Sequence, residues 1–112
     1  MADGQHQDYE RENWKVLMFS NSDITRLQQS TYSIIHINYH DVTMHSTVTG
    51  HDWIIVSSYG AENCYVLHRH SGRDPYHRQE GNYKSLLDAL EYIDHHEEWF
   101  VTHKMKAINS VK

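Results

Sequence analysis

The chain has 112 residues, 38% of them hydrophobic, and a formal net charge of −5 with histidine neutral. That length fits one domain burying roughly two-thirds of its unfolded surface, and thirteen Phe, Trp and Tyr residues supply large side chains for a core. The acidic balance argues against charge-driven binding of DNA or RNA, and no apolar run reaches membrane length.

Residues 1–12 carry Asp3, Asp8, Glu10 and Glu12 against Arg11, with no apolar period and no signal core. They read as a flexible acidic tail ahead of a domain over 13–104. Trp14 to Phe19 is dense in strand-forming residues and is expected to be a first strand. Ser20 to Asp23 offers N-cap chemistry, and Ile24 and Leu27 lie three apart, so a short helix is expected over roughly 23–29.

Tyr32 to Tyr39 alternates apolar positions and reads as a second strand. His40-Asp41 turns it into a third, Val42 to Val48, whose Thr, Ser and His content suits a sheet edge. Gly50-His51-Asp52 is turn chemistry leading into a hairpin of Trp53–Val56 and Cys64–Leu67. With Tyr59 opposite Cys64, Val56 opposes Leu67 and Ile54 opposes Arg69. The face carrying Val56, Leu67 and Tyr65 is expected to meet the main helix, and a one-residue slip would exchange the faces. Cys64 is the single cysteine, which excludes an internal disulfide and suits a reducing, cytoplasmic setting.

Ser71 to Tyr83 holds the single proline and no apolar period, and is expected to be a loop. Ser85 is a good N-cap with Asp88 three residues on. Leu86, Leu90 and Ile93 then form one stripe, predicting a helix from about 85 to 96. Residues 97–104 fit either more helix or a last strand, and 105–112 read as a basic tail. The expected fold class is α+β: a mostly antiparallel sheet of four to five strands with one main C-terminal helix on one face.

Eleven histidines stand out. His68 and His70 alternate by two on a strand and so share a face, as His36 and His40 do. Two such pairs from neighbouring strands would make a zinc site, with Asp41 as a further ligand, although neither HExxH nor a Cys pair is present. His95 and His96, near the end of an acidic helix, are expected to face its dipole and carboxylates. The basic stretch 68–78 offers a second chemistry. Arg69, Arg73 and Arg78 could grip a phosphate while Tyr76 stacks on a base, and His68, His70 and His77 with Arg73 would serve a histidine-dependent phosphodiesterase or nuclease.

No nucleophile elbow, Walker A or dinucleotide fingerprint occurs. The leading expectation is therefore a non-enzymatic protein-interaction module, an inhibitor of a basic or nucleic-acid-binding protein of the kind mobile elements use. Its contacts would come from the acids Asp88, Glu91, Asp94 and Glu98 and the aromatics Trp53, Tyr59, Tyr92 and Trp99. Arg69, Arg73, Tyr76 and Arg78 would join them, against a partner with a basic surface. No cofactor is required on that expectation. Zinc belongs to the enzymatic alternative, which needs His36, His68, His70 and an arginine to converge in a cleft.

Overall fold

A computed structural model describes residues 18–58 and 62–105. The tail 1–12, residues 14–17 of the expected first strand, Tyr59, and 106–112 lie outside them. Met18 and Phe19 belong to no strand. Phe19 is instead a core residue, 1% exposed, whose backbone N–H donates to the Tyr39 carbonyl at 2.9 Å.

Helix α1 spans Asn21–Gln28, two residues earlier than expected, because Ser20 is its N-cap and accepts from the Asp23 N–H at 3.1 Å. Its Leu27 is fully buried. Five strands follow: β1 (Ser33–Ile37), β2 (Asp41–His45), β3 (Asp52–Ser57), β4 (Cys64–Arg69) and β5 (His77–Arg78). They form an antiparallel sheet in sequence order, β1-β2-β3-β4-β5. The short strand β5 and an isolated Cys64–Tyr83 bridge lie within the stretch expected to be loop.

Strand β2 is not an edge. It pairs with β1 on one side and β3 on the other. Its polar letters misled because they occupy one face: Val42 and Met44 point into the core, both fully buried, while Asp41, Thr43 and His45 point away. The edges are β1 and β5. In β1 a register shift between Ile34 and His36 leaves Ile35 unpaired and 64% exposed.

The β3–β4 hairpin forms two residues out of the expected register: Val56 opposes Tyr65, Ile54 opposes Leu67 and Ser57 opposes Cys64. A two-residue slip preserves the face assignment, so the same residues still share faces. The buried face, however, is the opposite one. Trp53, Ile55, Cys64 and Val66 are all fully buried, whereas Ile54, Val56, Tyr65 and Leu67 are half-buried. The largest apolar side chain of the hairpin, Trp53, sits on the first face. On the second face the guanidinium of Arg78 lies 4.1 Å from the centre of the Tyr65 ring, a stack that leaves the charge wet.

Helix α2 runs over Leu86–Phe100, capped by Ser85, whose hydroxyl accepts from the Asp88 N–H at 3.1 Å. It continues past His96 into a π-helical turn at Val101–Met105, so residues 97–104 are helical. Leu86, Ala89, Leu90, Ile93 and Glu97 are its buried residues. The first four join the sheet's inner face in one core with Phe19 and Leu27. No helix among the described residues is long and apolar enough to cross a membrane.

A candidate metal centre of three histidines

The β2–β3 turn delivers the first histidine. Gly50 adopts φ 80°, where glycine carries no Cβ penalty, and its N–H donates to the Ser46 carbonyl at 2.9 Å. Ser46 in turn donates its N–H to the His51 carbonyl at 2.9 Å, and the His51 N–H donates to Thr49 Oγ1 at 3.2 Å. This pinned turn buries His51 to 2% exposure. Strand β4 delivers the other two: His68, opposite Trp53 in the register, and His70 just past the strand end.

The rings pack tightly. His68 stacks on Trp53 with centroids 3.8 Å apart, and His51 stacks on His70 at 4.4 Å and 5°. Nδ1 of His51 and Nε2 of His68 are 2.9 Å apart, so one proton lies between them. Helix α2 closes the site. Phe100 meets the His51 ring edge-on at 4.4 Å, and His96 meets the His68 ring at 4.8 Å. Glu97, 8% exposed, accepts from Thr49 Oγ1 at 2.7 Å and Trp53 Nε1 at 3.3 Å, and its carboxylate lies 3.7 Å from His51 Nδ1.

This environment keeps imidazole neutral. Burial, then the neighbouring His96, His51, His70 and His77, pushes His68 down to about 3. Burial and His70 lower His51, with Glu97 opposing, and burial lowers His96. Beside this group, the buried carboxyl of Asp52 accepts from His45 Nδ1 at 2.7 Å and Arg69 Nε at 2.8 Å. Burial would raise its pKa, but those two partners outweigh it and the net shift is downward.

Neutral imidazoles with free lone pairs are the form that binds transition metals. One nitrogen from each of His51, His68 and His70 lies within 4.8 Å of the others. Zinc–nitrogen bonds are about 2.0–2.1 Å, so to hold one ion the parallel His51 and His70 rings would turn out of their stack and bring their in-plane lone pairs together. Among the described residues, His96 Nδ1 is buried with no hydrogen-bond partner.

Of the residues singled out from sequence, His68 and His70 meet here, and His77 and Arg69 line the adjoining cleft. His36 and His40 do not join them. His36 lies on β1, separated from β4 by both β2 and β3, with Nε2 3.1 Å from Asp41 Oδ1, and His40 is exposed in the following turn. Arg73 is exposed and Arg78 is held by Tyr65 and Asn82. Arg69 lies over the Tyr76 ring at 4.3 Å. Trp53 is a core residue and not a surface anchor, and Tyr92 is half-buried with its hydroxyl on Gln79 Oε1. Asp88, Glu91, Asp94 and Glu98 are exposed along α2, with Trp99 48% exposed beside them.

His51, Glu97 and His96 went unforeseen. His96 follows Ile93 by three and Glu97 follows it by four, so the helical period itself carried both toward the sheet. Only His95 keeps the expected outward place, 4.0 Å from Glu91.

No protein-family model matches the chain, and the searches of curated proteins and of solved structures gave no significant match.

Proposed function

We propose that this protein is a small transition-metal-binding domain, with zinc held by His51, His68 and His70. The observation that carries this reading is the set of three ligand nitrogens within 4.8 Å of one another. Three further features support it. Burial disfavours protonation of His51 and His68. No thiolate competes, because Cys64 is buried and its thiol is pushed up to about 12 by burial and then by Asp88. Glu97, 3.7 Å from His51 Nδ1, places a negative charge beside the three rings, which favours a cation there. Three protein ligands leave a fourth position, as in zinc sites that act on bound molecules. Equilibrium dialysis of tag-free protein against zinc, with His70→Ala as the control, tests this: about one ion per chain is expected, and none in the variant.

A second reading, the acidic interaction module, is favoured by the outer face of α2. Asp88, Glu91, Asp94 and Glu98 are all exposed there, next to the half-exposed Trp99. A basic protein surface suits that face, and the two readings are compatible because they use opposite sides of one helix.

A further inference from the structure

We infer that the metal-loaded centre takes a phosphate group of a small molecule as its outer ligand, in the cleft between β4, β5 and α2. This inference rests on the metal reading above and adds the chemistry of the ligand.

Charge balance comes first. Three neutral imidazoles leave the two positive charges of a zinc ion uncancelled. Glu97, 3.7 Å from His51 Nδ1, supplies one negative charge. Asp52 is already satisfied by His45 and Arg69. A buried cation with charge left over attracts an anion strongly, because the surrounding dielectric screens it poorly.

The cleft gives that anion room. It measures about 480 Å³ and reaches the centre at His68 and His70. A single water needs only about 30 Å³, so the cleft has room for a phosphate beside the centre. On its wall His77 offers a ring nitrogen, whereas Arg69 Nε is given to Asp52 and Gln79 Nε2 to the His77 carbonyl, and Asp74 is the one carboxylate among its lining residues. His77 lies directly opposite His68 in the β4–β5 pairing, so a ligand on the metal and a contact to His77 lie a strand apart. A tetrahedral phosphate can share its oxygens between a metal and such a donor. The net charge of −5 disfavours a polynucleotide as the source, which leaves a small phosphorylated molecule.

The test uses the tag-free full chain loaded with cobalt(II), whose visible absorption reports its ligands, titrated with inorganic phosphate at constant ionic strength. The expected result is a saturable change in the cobalt bands. In His77→Ala cobalt should bind as in wild type, while half-saturation by phosphate moves several-fold higher. Cobalt bands that do not respond to phosphate would overturn the inference and leave the metal reading standing, as would an unaltered response in His77→Ala. Failure of cobalt to bind at all would instead remove the metal reading, and this inference with it.

Discussion

Nδ1 of His51, in the β2–β3 turn, and Nε2 of His68, on β4, face each other at 2.9 Å, each ring buried and each disposed to stay neutral. The pair joins a turn to a strand end and couples the sheet to helix α2 through Trp53 and Glu97. The folded protein holds these rings unprotonated, which makes stability depend on acid.

The folded pKa values of His51, His68 and His96 all lie below the unfolded value of about 6.5. Between that value and the about 3 of His68, the unfolded chain binds more protons than the folded one. Stability of the metal-free protein should therefore be full above the unfolded value and fall steadily as pH drops through this window. Thermal melts across the range check it, and a midpoint that stays level on acidification would contradict the neutral cluster.

Ile93 is fully buried in the core between α2 and the sheet. Ile93→Ala should cost about 2–5 kcal/mol through lost transfer energy and a cavity. Urea denaturation measures this directly, and a loss below about 0.5 kcal/mol would mean that α2 does not pack as described.

The hydroxyl of Ser85 accepts the Asp88 N–H at the start of α2. Ser85→Ala should destabilise by about 0.5–2 kcal/mol, and Ser85→Gly by a few tenths only. The ordering of the two variants in chemical denaturation is diagnostic, since a packing role for Ser85 would make glycine the worse substitution.

The exposed acids of α2 bear on the interaction reading. Reversing Glu91 and Glu98 to Lys changes charge on the outer face without touching the core. Against a basic partner recovered from the native host, association should slow and its salt dependence should weaken, with the fold intact by circular dichroism. Equal rates for both proteins in surface plasmon resonance would move any such interface elsewhere.

Local chemistry was legible in the sequence where it was decided locally. Ser85 and the stripe of Leu86, Leu90 and Ile93 mark α2, and the alternation of His68 and His70 marks their shared face. What escaped was decided at a distance. The buried side of the hairpin depends on where α2 lands and on which side carries Trp53. The composition of β2 is an average over two faces, and only the face with Val42 and Met44 matters to its place in the sheet. His51 sits 17 positions before His68. Only the pairing of Trp53 with His68 brings it to the site, and no short motif records that.

The central claim is that His51, His68 and His70 hold one metal ion. Isothermal titration of the tag-free, metal-free protein with zinc, beside His70→Ala, tests it most directly, because His70 is exposed and its loss spares the core. Wild type should bind one equivalent and gain thermal stability in proportion to the logarithm of free zinc, and the variant should do neither. Absence of binding by wild type, or binding unchanged in His70→Ala, would contradict it.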